Sequence, residues 1–167
     1  LSILELHSDI ILNCVPLNPL KWLTFLALYS QKYTQSNDPF IILDILFKQD
    51  RYFSTPDILP KYLQLLVHLC KTNSEFRELR IQHCWHQITS FLTTNTNTDS
   101  LGLCYDSLII LAPLYENQKC PLLKIMPSIC SHLDIDILRI HVLTLLSLKK
   151  FTINELTECP LIDQLIL

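Results

Sequence analysis

The stretch Arg80 to Gln87, RIQHCWHQ, sets His83, Cys84, Trp85 and His86 side by side. Imidazole and thiolate are donors that zinc accepts, and a cysteine beside a histidine also pairs a thiol nucleophile with its base. Cys70, two residues after His68, offers the same pairing again. Spacing argues against both chemistries. On a helix His83 and His86, at i and i+3, share a face while Cys84 points about 100° away, so at most two of the three donors converge. A structural zinc site needs four ligands, and the usual paired spacing has no second half here. Nucleophilic catalysis needs an orienting third group and an oxyanion hole, and no local signature proposes either. The expectation is therefore no enzyme, no metal and no cofactor, with Cys84 and Trp85 as core filler and the histidines on flanking surface.

Composition narrows the classes further. The chain has 167 residues, enough for one domain with a real core, and 49% of them are apolar against 17% charged. Glycine occurs once, at Gly102. Phosphate-cradling loops, nucleophile elbows and most tight β-turns draw on glycine for positive φ or close backbone approach, so those classes are disfavoured. A net charge of -3 with no long run of either sign gives no global attraction to nucleic acid or anionic lipid. The seven cysteines (14, 70, 84, 104, 120, 130, 159) form no CxxC and no paired framework, which suggests a reducing, intracellular setting, cytoplasmic or nuclear. No stretch reaches about 18 uninterrupted apolar residues, so a membrane span is not expected. Opening on Leu1 and closing on Leu165-Ile166-Leu167, in mid-pattern, the chain reads as a fragment of a longer protein.

Apolar residues recur at three- and four-residue spacing nearly throughout, and strand-like alternation is absent. In KYLQLLVHLCK the polar residues Lys61, Gln64, His68 and Lys71 fall on one helical face, and the wide apolar remainder belongs to a helix packed on more than one side. Starts are marked by Asn18-Pro19, Asp38-Pro39, Thr55-Pro56, Cys120-Pro121 and Cys159-Pro160. TTNTNTDS, 93–100, is the clear loop, with Asp99 or Ser100 as cap of the next helix, and Asp134 and Asp136 mark a tighter junction. Ten helices are predicted, near 3–13, 19–34, 39–50, 56–72, 75–82, 85–93, 100–117, 122–133, 136–150 and 160–167, with Pro113 kinking the seventh.

Internal matches accompany this order. A shift of 45 residues sets Phe40 on Trp85, Leu46 on Phe91, Leu63 on Leu108 and Leu66 on Leu111, and a shift of 40 sets WLTFLALYS on YLQLLVHLC. HCWH itself aligns with Lys124-Ile125-Met126-Pro127 and with Thr157-Glu158-Cys159-Pro160. With linking segments such as Phe76 to Arg80 and Asn154 to Ile162, this pattern resembles the armadillo/HEAT class of α-solenoids, in which a short helix ends, the chain turns, and a helix with an L-x-x-L-L-like pattern follows. The family usually has glycine at that turn; here His83, Lys124 and Thr157 stand there. The resemblance implies an all-α, right-handed superhelical array of about four irregular repeats (approximately 1–37, 38–73, 74–117 and 118–151) with a partial repeat at 152–167. Helix pairs with too much apolar surface to stand alone would bury it on their neighbours.

Such an array implies a non-enzymatic scaffold that presents a curved helical surface to another protein or peptide. The alternative is an architectural or regulatory segment beside a catalytic domain such as a protein kinase. Candidate partner-binding residues are the stripe Lys61, Gln64, His68 and Lys71, placed to border a concave groove, and the basic series Arg77, Arg80, His83 and His86, suited to an acidic or phosphorylated segment. Trp22 is the one tryptophan on an expected inner helix and no asparagine ladder accompanies it, so a nuclear-import role is not implied.

Overall fold

The computed structural model describes residues 2–32, 37–94, 97–115 and 121–148. Among these, eight α-helices and four short 3-10 turns carry the chain and no strand occurs. The order is α1 (Ile3–Cys14), α2 (Pro19–Lys32), α3 (Asp38–Lys48), α4 (Leu59–Thr72), α5 (Ser74–Thr94), α6 (Thr98–Leu111), α7 (Met126–His132) and α8 (Asp136–Ser147). The expected helix at 160–167, the start at Cys159-Pro160 and the partial repeat at 152–167 lie outside the described residues. Two compact units divide the chain, Leu1–Cys84 and Trp85–Leu167.

In the first unit α1 packs on α3 and α2 on α4, so each helix meets the one two places along. The sequence explains both the helices and their contacts. Ser2 caps α1 with a full capping box: its Oγ accepts from the Glu5 amide at 3.1 Å and its own amide donates to Glu5 Oε2 at 2.8 Å. Asn18 accepts from the Lys21 amide, so Asn18-Pro19 opens α2 as expected, and Asp38-Pro39 opens α3. On α4, Tyr62, Leu63, Leu65, Leu66, Val67, Leu69 and Cys70 are all buried, while Lys61 and Lys71 are exposed and Gln64 and His68 half-buried. Burying each large aliphatic is worth about 1.5–3 kcal/mol, so this arc holds α4 in place from several directions.

The joint between α4 and α5 is a single residue. Asn73 leaves the helical region (φ -128°, ψ 114°), its amide donates to Leu69 O, and its Oδ1 accepts from the Phe76 amide at 2.7 Å, so one side chain ends one helix and starts the next. Arg77 Nε donates to Cys70 O at 2.9 Å and satisfies a carbonyl in the last turn of α4.

In the second unit α6 packs on α8 and α7 on α8. Tyr105, Leu108 and Leu111 from α6 and Leu138, Val142 and Leu145 from α8 are fully buried there. Gly102 lies against His141, whose nearest ring carbon stands 4.0 Å from where a Cβ would sit.

Five boundaries differ from the sequence expectations, one of them the helix expected at 122–133 from Cys120-Pro121, which opens only at Met126 after Pro121–Ile125 winds as a 3-10 turn. The helices expected at 75–82 and 85–93 are one helix, α5, which runs through His83-Cys84-Trp85-His86 without a break. HCWH is not a turn because it contains neither glycine nor proline, and each of its residues completes the i→i−4 ladder. Its supposed equivalent does start a helix: Pro127 occupies the first turn of α7. Pro56 does not open α4, which begins at Leu59 after a turn closed on Thr55 O. A helix begun at 56 would need an amide hydrogen from Pro60, which has none, so the start moves until Pro60 falls in the first turn. Pro113 does not kink α6 but ends it at Leu111, and Ala112–Leu114 tightens to a 3-10 turn. The cap of α6 is Asn97, accepting from the Ser100 amide at 3.0 Å, rather than Asp99 or Ser100.

A continuous α5 has a measurable consequence at exposed His86. Replacing it with glycine is expected to lower the unfolding free energy by about 1 kcal/mol relative to alanine, the ordinary cost of glycine in a helix interior. Urea unfolding of His86→Gly and His86→Ala checks this, since a turn at this point would leave the two variants equal or favour glycine.

Candidate functional site

Residues 24, 27, 28 and 31 of α2 and residues 61, 64, 65 and 68 of α4 follow the same i, i+3, i+4, i+7 spacing, so each set forms one helical face. The two faces line an open groove of about 360 Å³ in the first unit. Leu23, Ala27, Leu28 and Leu65 make its apolar walls, and Leu28 remains 56% exposed. The hydroxyls along it are used locally: Thr24 donates to Leu20 O at 2.9 Å and Ser30 to Ala27 O at 2.8 Å. Gln31, Gln64, Lys61 and His68 supply the remaining polar groups.

The groove's charge is one-sided. No carboxylate lines it, and Lys61 enters no ion pair among the described residues. His68 Nε2 is shielded from solvent and has no hydrogen-bond partner among them. Buried ring nitrogens are normally satisfied, so this one stands out among the side chains of the groove.

Of the sequence candidates, Lys61, Gln64 and His68 thus converge on the groove, whereas Lys71 is exposed at the end of α4 and outside its lining. The other series is put to several uses. Arg77 donates to Cys70 O and also reaches Lys71 O at 3.5 Å, and Arg80 stacks over the Phe47 ring at 5.7 Å. His83 meets the edge of the same ring with centroids 5.5 Å apart, and His86 faces solvent. Cys84 and Trp85 are buried, as expected for core filler. Among the described residues no group of three histidine, cysteine or acidic side chains is placed to hold a metal ion, and no helix is long and apolar enough to cross a membrane.

Sequence reasoning missed the α2 wall. Thr24, Ala27, Leu28 and Gln31 have the right spacing, but a leucine in an apolar helix reads as core, and only the packing of α2 on α4 leaves Leu28 at a surface. A larger hollow, about 590 Å³, lies beside Glu5, Phe40, Asp44 and Glu75. Its carboxylates already have structural tasks: Glu5 closes the α1 capping box, Asp44 pairs with Lys48 at 2.7 Å, and Glu75 sits in the first turn of α5, where negative charge is favoured.

In the second unit, the Tyr105 hydroxyl and His132 Nδ1 lie 2.6 Å apart. Burial pushes the Tyr105 phenol well above its usual range, so its O–H donates and the imidazole accepts in its neutral form. Burial also pulls the His132 pKa below its ordinary 6.5. As pH falls through 6.5 the unfolded chain takes up the proton first, so the stability contributed by neutral His132 is complete above that pH and is lost below it. Denaturant midpoints measured at pH 7.5 and 5.5 should therefore fall more for the native chain than for His132→Asn, which keeps an acceptor for Tyr105 but does not titrate. No family model, curated protein or solved structure matches the chain.

Proposed function

We propose that this chain is a non-enzymatic protein-interaction module whose groove between α2 and α4 receives a partner segment bearing carboxylate or phosphate groups. One observation carries the reading: two matched helical faces leave an apolar-walled groove in which, among the described residues, the Lys61 ammonium has no ion pair, His68 Nε2 has no hydrogen-bond partner and no acidic residue occurs. Apolar walls with a few convergent polar groups are the usual make-up of a recognition site, and one-sided charge selects partners of opposite sign.

The same reading takes the chain as an armadillo/HEAT-like repeat array. Support comes from the proline-marked starts of α2, α3 and α7 and from packing of helices two places apart, α1 on α3, α2 on α4 and α6 on α8, the pattern produced when successive helix pairs stack. An odd number of cysteines without a paired framework supports a reducing, intracellular setting.

The test is affinity capture with the native chain, identification of the captured protein by mass spectrometry, and titration of its binding segment. Lys61→Glu combined with His68→Ala should weaken binding at least tenfold, on the order of the 1.4 kcal/mol or more that a desolvated charged contact supplies. Lys21→Glu, on the exposed side of α2, should leave it unchanged. Equal affinity of the groove variant and the native chain would remove the groove from consideration.

A further inference from the structure

The cysteine of the HCWH stretch has a partner that sequence spacing does not reveal. Cys84 Sγ lies 3.6 Å from Cys70 Sγ, across from α5 to α4 in the first unit. Both residues are almost completely shielded, at 1% and 0% exposure. This is the contact of two hydrogen-bonded thiols, and a disulfide of about 2.05 Å requires the sulfurs to close by about 1.5 Å.

The environment makes the two sulfurs unequal. The hydrogen bond from Cys84 lowers the Cys70 pKa, burial opposes that, and the positive charge of Arg77 reinforces it. The same hydrogen bond raises the Cys84 pKa, and burial adds to the rise. Arg77 is held there by its 2.9 Å bond to the carbonyl of Cys70 itself. Arg77 lies nearer the favoured thiolate at Cys70, while Arg80 offsets only part of the rise at Cys84, so of the two sulfurs Cys70 is the one whose ionisation is favoured. By contrast, burial pushes the Cys104 thiol up to about 12.

We propose that Cys70 and Cys84 form a reversible thiol–disulfide pair, oxidised by a hydroperoxide to a cross-link between α4 and α5. The Cys70 thiolate attacks one oxygen of hydrogen peroxide, the O–O bond breaks, and hydroxide leaves to become water on protonation, with Cys70 now a sulfenic acid. The Cys84 sulfur then attacks the Cys70 sulfur, the S–S bond forms as the S–O bond breaks, and the departing hydroxide takes the Cys84 proton as a second water. Two thiols are oxidised by two electrons and one peroxide is reduced to two waters. Peroxide is little larger than water, and Cys70 lies two residues from the end of α4, so local opening of that last turn admits it. A small thiol reverses the step by exchange.

The full chain is treated with hydrogen peroxide, alkylated without reduction, digested and mapped by mass spectrometry. The expected result is a Cys70–Cys84 linked peptide pair, two hydrogens lighter than the sum of its parts, released by dithiothreitol and absent from Cys70→Ser and from Cys84→Ser. Its yield should exceed that of the same treatment in urea, where proximity is lost. Reduced Cys70 and Cys84 in native protein whose half-exposed Cys14 has been oxidised would overturn the proposal, as would equal yields in the folded and urea-treated chain. Neither of these native-chain readings depends on a variant that folds.

Discussion

The first unit depends on the width of the apolar arc of α4. Leu63 and Leu66 are wholly shielded, Leu65, Val67 and Leu69 nearly so, and Tyr62 and Cys70 flank them, leaving the line through Lys61, Gln64, His68 and Lys71 and the two helix ends for solvent. A helix of this kind cannot be satisfied by one neighbour, because a single helix covers only a stripe of its surface. Packing of α2 on α4, with Cys84 of α5 brought against Cys70, follows from that requirement. The groove is the place where the covering stops, since the polar line of α4 faces the α2 side chains at 24, 27, 28 and 31.

Packing at this density leaves little room for loops, and the polar groups at helix ends are met by side chains. Ser2, Asn18, Asn73 and Asn97 each accept from an amide that no helical carbonyl can reach. Arg77 does the converse for a carbonyl of α4 and, in doing so, sets a positive charge beside Cys70. One capping contact therefore serves the fold and also biases the chemistry of a buried thiol. Buried polar pairs of this sort recur: Tyr29 donates to Asp38 at 3.3 Å where α2 meets the start of α3, and burial followed by the Asp38 charge holds the Tyr29 phenol protonated.

Chemistry-bearing residues that are adjacent in sequence are not adjacent in function here. Along α5 each residue turns about 100° from the last, so His83 meets the Phe47 ring, Cys84 meets Cys70, Trp85 meets Tyr115 with ring centroids 5.5 Å apart, and His86 faces water. A cluster that reads as four ligands is dispersed by the helix that holds it, and the thiol gains a partner 14 residues away.

Local physics explains which parts were legible. Proline at Pro19 and Pro39 constrains its own φ and tolerates only the first helical turn, so those starts could be read from the chain alone, whereas the start expected at Cys120-Pro121 moves to Met126, with Pro127 in the first turn of α7. The polar line of α4 and the absence of strands among the described residues follow likewise from 3.6-residue periodicity. Where two signals competed, the reading failed: Pro56 drew attention from Pro60, and the alignment of HCWH with KIMP carried a turn into a segment that has no helix breaker. The α2 wall of the groove, the unsatisfied Nε2 of His68 and the pairing of Cys70 with Cys84 were decided by tertiary structure. Each depends on how far one helix is shifted and rotated against another, and that is set by the fit of whole side-chain surfaces rather than by any residue's own conformational preference.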